Sequence, residues 1–269
     1  MKKIIKTLFT GIISLAMLFA LSTVLFADST VEFDKSNLSK GIVSIKYFST
    51  ENIKTKVQIQ YNDFKYTYNI KSSSSFVNFP LQLGNGTYKI GVYEQVEGTK
   101  YTPLVVETID LKLDDSSKVF LTSIQLINWS EKMNTVNVAK ELTKNKTTEL
   151  EKIEVCYQYM VKQFKYDYAK LKNLEYDYIP VIDDVVKKKL GICYDYAAVL
   201  SSMLRSLDIK SKLIMGYSTN VKEYHAWNEI FINGKWVTVD TTYDSQMENL
   251  KIKYEFEKPK SDYSTVYEY

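Results

Sequence analysis

The period of the hydrophobic pattern changes once along this chain, and that change most constrains the fold. Between residues 28 and 113 apolar side chains alternate with polar ones, as in Val43, Ile45 and Tyr47. A period of two is typical of half-buried strands, and Asn85-Gly86 between two such runs predicts a hairpin turn. Several short strands at regular spacing therefore predict an antiparallel β-sandwich, which we interpret as Ig-like.

After a polar break that begins at Asp114, the period becomes that of helices. Thr148 and Glu151 have the spacing of a capping box, which predicts a helix start, and later apolar residues recur on one helical face. Strands followed by mixed helices and strands predict an α+β protein. The boundaries that follow are 1–27 (signal peptide), 28–113 (sandwich), 114–147 (linker or helical connection), 148–247 (second domain) and 248–269 (tail or edge strand).

The first 27 residues have the pattern of a secretory signal. Lys2, Lys3 and Lys6 precede an uncharged run from Thr7 to Ala27. Cleavage after Ala27 or within Ala20-Leu21-Ser22 would release the protein, and the run is also long enough to remain as an anchor. We expect a secreted or surface-held protein that contacts the membrane only through an uncleaved signal.

The net charge and the cysteine count exclude several classes. The formal charge is +3, and without the three lysines of the signal Lys+Arg falls from 35 to 32, which equals Asp+Glu. A neutral chain lacks the basic footprint of a nucleic-acid binder. Two cysteines exclude a disulfide-rich scaffold and a Cys-based zinc site, and we expect neither a metal nor another cofactor.

Cys193 lies where a second helix is predicted to begin. An apolar stripe follows it, formed by Tyr196, Ala197, Leu200, Met203, Leu204 and Leu207. A helix N-terminus favours a thiolate, and its free N–H groups, that of Cys193 included, can bind an oxyanion. Two alternatives stay open. Cys193 is a small core residue, or it forms a disulfide with Cys156 that would block this chemistry.

A hairpin downstream carries the only histidine of the chain. Asn233-Gly234 separates two alternating runs and predicts a type I′ turn, so that Ile232 faces Lys235. This register puts His225 and Asp240 on one face as diagonal neighbours, about 7–8 Å apart at the backbone.

Asp240 can then accept the Nδ1–H of His225 and leave Nε2 free to face a thiol, as in a catalytic triad. Cys193, His225 and Asp240 are the triad that this chain is best able to build. A purely structural His–carboxylate pair is one alternative, and Asp244 in place of Asp240 is another.

These residues lie in blocks that resemble the bacterial transglutaminase-like (transglutaminase-core) superfamily. The blocks are Gly191–Ala197, Leu213–Tyr217, His225–Glu229 and Asn233–Thr241. The resemblance implies a papain-like α+β domain, with Cys193 as nucleophile, His225 as general base and then acid, and Asp240 as the residue that orients it. The family often has Pro where this chain has Thr241.

The function expected from these observations is that of a secreted cysteine enzyme. It would act on amide bonds of peptides or proteins, cell-wall peptides among them, through an acyl-enzyme that an amine or water resolves. One rival is a cysteine peptidase or amidase with the same residues. The other is a non-catalytic surface binding or adhesion module.

Overall fold

Two antiparallel sheets come first in the computed structural model, which describes residues 29–269. The predicted signal, residues 1–27, lies outside the described residues. The strands are β1 (Thr30–Asp34), β2 (Ile42–Phe48), β3 (Thr55–Tyr61), β4 (Phe64–Ile70), β5 (Val77–Pro80), β6 (Gly86–Glu97) and β7 (Lys100–Leu111). Their orders are β1-β2-β5 and β4-β3-β6-β7. Val43, Ile45 and Tyr47 are buried, as the alternation predicts. The Ig-like assignment of this region stays a prediction.

The hairpin predicted at Asn85-Gly86 is wrong. β5 pairs with β2, whereas β6 pairs with β3 and β7, so this turn joins two different sheets. The Asn85 side chain accepts a hydrogen bond from the Leu113 N–H at 2.7 Å and donates to the Leu113 carbonyl at 2.9 Å. Asn85 therefore connects the start of β6 to the chain beyond β7. The prediction used only the local Asn-Gly pattern, which carries no information about this distant partner.

The second region mixes helices with a four-stranded antiparallel sheet, in agreement with the α+β prediction. Its elements are α1 (Asn134–Thr143), α2 (Glu149–Gln163), β8 (Lys165–Tyr166), α3 (Tyr168–Lys172), α4 (Ile182–Lys188), β9 (Leu190–Gly191), α5 (Cys193–Ser206), β10 (Ser211–Ser218), β11 (Val221–Ile232), β12 (Lys235–Val239), α6 (Thr241–Leu250) and β13 (Tyr263–Glu268). The sheet order is β12-β11-β10-β13, and β8 and β9 form a small parallel pair.

The regions on both sides of residues 148–247 contribute regular elements to the second region. Helix α1 lies within residues 114–147 and packs against α2 and α5, so the helical layer begins before Thr148. The tail supplies β13, an edge strand that pairs with β10. The capping box of Thr148 and Glu151 is confirmed at the start of α2. None of the helices in residues 29–269 is long and apolar enough to cross a membrane.

Helix α5 is the centre of the second region. A single buried stripe was predicted, but every residue from Asp195 to Arg205 is buried because helices and the sheet surround α5. Near its end Arg205, the only arginine of the chain, donates hydrogen bonds to the carbonyl oxygens of Ser211, Thr122 and Tyr269. Burial lowers the pKa of this guanidinium to about 9. Arg205 thus ties three distant segments to one helix.

Gly216 lets β13 approach β10, and this predicts a stability effect. A Cβ at position 216 would lie 2.0 Å from the Ser264 carbonyl oxygen and 3.0 Å from the Trp227 ring. We expect Gly216→Ala to lower the free energy of unfolding by about 2–3 kcal/mol, because backbone must move to relieve the overlap. Urea denaturation measures the change. The matched control, Ser264→Ala, alters only an exposed side chain, and an equal loss in both variants would contradict this reading.

Candidate active site

The structure brings Cys193, His225 and Asp240 together. Cys193 is the first residue of α5 and is half-buried, His225 lies in β11, and Asp240 directly follows β12. Nε2 of His225 donates a hydrogen bond to Oδ2 of Asp240 at 2.8 Å. The imidazole is 4% exposed and the carboxylate is fully buried. This site is therefore shielded from water except at the thiol.

The ring of His225 is turned opposite to the prediction. We expected Nδ1 to face Asp240, but Asp240 bonds to Nε2. Because Nε2 is occupied, Nδ1 is the nitrogen left for the Cys193 thiol, whose interaction with His225 contributes to the raised pKa of the imidazole. A cysteine and a carboxylate can use the two nitrogens in either order, and hairpin register alone does not distinguish the two orders.

The hairpin itself has the predicted register. Ile232 pairs with Lys235, and Asn233 and Gly234 have φ values of 50° and 82°, as a type I′ turn requires. The second strand, however, ends one residue early. Asp240 is instead the N-cap of α6, and its Oδ1 accepts the Tyr243 N–H at 3.0 Å. The cap fixes the carboxylate at the position where it meets His225.

Sequence reasoning missed Tyr263. Its hydroxyl, in the edge strand β13, donates to Oδ2 of Asp240 at 3.0 Å. Tyr263 also packs against Trp227, with ring centroids 4.9 Å apart, and Trp227 in turn stacks on His225. No local pattern links residue 263 to residue 240, because the contact depends on where a strand from the tail enters the sheet.

The buried pair has strongly shifted ionisation. Burial lowers the pKa of His225, but the charge and hydrogen bond of Asp240, with a contribution from Cys193, outweigh burial and raise it to about 10. Burial likewise raises the pKa of Asp240, whereas the His225 charge lowers it further, so the net direction is down. The pair is therefore an imidazolium and a carboxylate at neutral pH.

The body of helix α5 lies on the face of β11 opposite to His225. The Asn228 side chain donates to the Ala197 carbonyl at 2.9 Å and to the Ser201 hydroxyl at 2.8 Å. Because side chains alternate along β11, the body of α5 covers the face that carries Asn228, not the face of His225. The first residue of α5 nevertheless interacts with the imidazole.

The structure separates the open alternatives. Asp244 is engaged elsewhere, because its two carboxylate oxygens accept from Lys258 at 2.6 Å and Tyr157 at 2.7 Å. Cys156 is fully buried in α2, burial raises the pKa of its thiol to about 12, and both cysteines are free. Within residues 29–269, no group of three or more His, Cys, Asp and Glu side chains could hold a metal ion.

Tyr166 is a second residue that the sequence reasoning missed. It lies in β8, which pairs with β9 directly before α5, and it is half-buried. Burial, and next the charge of Cys193, raise the pKa of its hydroxyl. The Tyr166 hydroxyl therefore stays protonated at neutral pH, and it lies near Cys193.

A thiol at the start of a central helix, beside a His–Asp pair on an antiparallel sheet, defines a class of cysteine-centred α+β domains. Residues 136–241 match the family model described as the Transglutaminase-like superfamily. This match identifies residues 136–241 as a transglutaminase-like domain.

Individual proteins are similar to parts of the chain. Human kyphoscoliosis peptidase is 22% identical over 150 residues, which are 52% of this chain and 22% of that protein, so the chain spans about a fifth of that relative. A candidate cysteine protease from Cytophaga hutchinsonii has a TM-score of 0.47 and 14% identity, covering 90% of this chain and 69% of its own. The periplasmic domain of TgpA from Pseudomonas aeruginosa has a TM-score of 0.40 and 12% identity, and the match covers 84% of this chain and 99% of that domain.

The single histidine makes the ion pair directly measurable. We expect Asp240→Asn to lower the pKa of His225 from about 10 by about two units or more, because burial of the imidazole remains while its charge partner is lost. The titration is followed by NMR of histidine-labelled protein without an affinity tag.

The raised pKa of His225 also makes the stability of the folded protein depend on pH. The His225 contribution is complete below its ordinary pKa of 6.5 and is lost as the pH rises through about 10. Asp244→Asn is the control, since Asp244 bonds Lys258 and Tyr157. An unchanged His225 titration in Asp240→Asn would contradict the ion pair.

Proposed function

We propose that the protein is a cysteine enzyme that cleaves or transfers at amide bonds of peptides or proteins through an acyl-enzyme on Cys193. The observation that carries this proposal is the juxtaposition of Cys193, at the start of α5, with a buried His225 that Asp240 holds at 2.8 Å. The match of residues 136–241 to the transglutaminase-like superfamily supports it. A binding module would have no use for a buried imidazolium that faces a free thiol.

The first half-reaction follows from the ion pair. The Cys193 thiolate attacks the carbonyl carbon, a C–S bond forms, and the π electrons move to the oxygen. The Cys193 backbone N–H and the Tyr166 hydroxyl are the donors that we assign to this oxyanion. When the oxyanion collapses, the C–N bond breaks, and the leaving nitrogen takes the proton from Nδ1 of His225. The product is a thioester and a free amine or ammonia.

The second half-reaction regenerates the thiolate. Neutral His225 removes a proton through Nδ1 from water or from an incoming amine, which attacks the thioester carbonyl. The C–S bond then breaks, and the electrons return to sulfur. Water gives a carboxylic acid and an amine gives a new amide. Asp240 stays ionised throughout and holds the ring in place through Nε2.

We propose that the enzyme acts outside the cytoplasm, on surface or cell-wall peptides. This proposal rests on the three lysines and the uncharged run of residues 1–27. The two N-terminal sheets, whose strand orders β1-β2-β5 and β4-β3-β6-β7 support the Ig-like assignment, are proposed as an accessory domain. N-terminal sequencing of the exported protein tests whether residues 1–27 are a cleaved signal. A mature N-terminus within the first 20 residues would argue for an uncleaved anchor.

The role of Cys193 predicts a sharp contrast between the two thiols. We expect Cys193→Ala to abolish turnover and labelling by a thiol-reactive probe, because it removes the nucleophile. Cys156→Ala is the matched control and should retain both, since Cys156 is fully buried with a raised pKa. Peptide mapping by mass spectrometry locates the label. Equal losses in the two variants would contradict the assignment.

Transfer and hydrolysis give different products from the same thioester. We expect incubation with a glutamine-containing peptide and a labelled primary amine to give amine incorporation if transfer dominates. A new carboxylate without incorporation indicates a peptidase or amidase. Cys193→Ala provides the blank in both assays. Partner binding that survives in Cys193→Ser, with no wild-type turnover on any peptide, would instead favour the adhesion module.

A further inference from the structure

A second buried carboxylate lies two residues after the nucleophile. The Asp195 side chain is fully buried in the first turn of α5. It accepts hydrogen bonds from the Ile192 N–H at 2.8 Å and from Nζ of Lys170 at 2.7 Å. The Tyr178 hydroxyl donates to its other oxygen, and Lys170 also donates to that hydroxyl at 3.0 Å. These three side chains form a closed cluster, which we call the Asp195 cluster.

The Asp195 cluster joins the cysteine turn to the segment that precedes it. A Cβ at Gly191 would lie only 2.6 Å from Cβ of Asp195, so the carboxylate passes directly over this glycine. Gly191 pairs with Tyr166, and its carbonyl accepts the Asp167 N–H at 2.9 Å. Lys170, in α3, follows on the same strand–helix segment. The carboxylate therefore fixes Tyr166 relative to the start of α5.

The charges of the cluster balance. A buried carboxylate is costly unless it is paired, and Lys170 supplies the pairing charge with its side chain 25% exposed. Burial and the hydrogen bond to Asp195 raise the pKa of Tyr178, which therefore donates as a neutral group. Without Lys170, the helix start would hold one uncompensated anion where the proposed reaction needs a second one, the thiolate.

We propose that Asp195 is a positioning residue that holds Cys193 against the β8–α3 segment, and that Lys170 balances its charge so that the thiolate can form. This inference rests on the proposed function of Cys193. The other titratable groups around the start of α5 are His225, Glu223, Tyr166, Tyr168, Tyr194, Tyr196 and Asp167. All of them remain in the variants below, so the variants change only the charges of the cluster.

The test is the pH dependence of Cys193 alkylation by iodoacetamide, measured in a Cys156→Ala background. We expect Lys170→Met to move the midpoint of the rate profile to higher pH by about one unit, because the Asp195 charge is no longer balanced. Asp195→Asn should move the midpoint to lower pH. The double variant, with neither charge, should return close to the parent value. Lys172→Met, exposed on the same helix, is the matched control and should not shift it.

A merely structural cluster would not give opposite shifts that cancel. Shifts of the same sign in the two single variants, or no shift, would overturn the proposal. If Lys170→Met does not fold by circular dichroism, Lys170→Gln replaces it, because the amide still donates to Asp195 without a charge. Failure of the proposed function is distinct, since the parent protein would then show no fast alkylation at Cys193 at any pH.

Discussion

Asp240 is the residue on which both the fold and the site depend. It ends β12, caps α6 through the Tyr243 N–H, bonds His225 in the middle of the sheet and accepts from Tyr263 at its edge. A buried carboxylate that loses its charge partner is strongly destabilising, so Asp240 depends on the groups that surround it. The same contacts that satisfy this charge also set the ionisation of His225. A change at Asp240 therefore affects both the packing around it and the ionisation of His225.

The site holds two buried anions that are handled in different ways. Asp240 is balanced by an imidazolium that takes part in the proposed reaction, whereas Asp195 is balanced by Lys170, which we place outside it. Asp195 lies in the first turn of α5 and Asp240 is the N-cap of α6, and at both places the peptide dipoles also favour a negative charge. This division leaves the imidazolium free to interact with sulfur. Lys170 and Asp195 thus form an ion pair close to Cys193 without being assigned as reacting groups.

Local signals predicted local structure well. The capping box at Thr148 and the type I′ turn at Asn233-Gly234 each depend on two or three neighbouring residues, and both are found. The turn also fixed the pairing that brings His225 near Asp240, so the candidate triad could be named from the sequence. Asn85-Gly86 carried the same turn signal, but the partner strands there lie in different sheets.

The features of the site that could not be predicted from the sequence depend on contacts between segments that are distant along the chain. The choice between Nδ1 and Nε2 is decided by where the start of α5 lies relative to β11, and no periodicity encodes that position. Tyr263 lies at the site because β13 joins the edge of the sheet, and Tyr166 lies there because β8 pairs with β9 directly before α5. Such residues are found only when the neighbours of the triad are known in space.

The edge strand β13 has a consequence for the order in which the molecule matures. Cys193, His225 and Asp240 are synthesised before Tyr263, so Asp240 of the nascent protein lacks one of its three hydrogen-bond donors until Tyr263 has been added. The sheet is completed, and Asp240 accepts its hydrogen bond from Tyr263, only when β13 pairs with β10 beside Gly216. A fragment that ends before β13 would carry the Cys193 thiol together with an Asp240 that lacks the hydrogen bond from Tyr263.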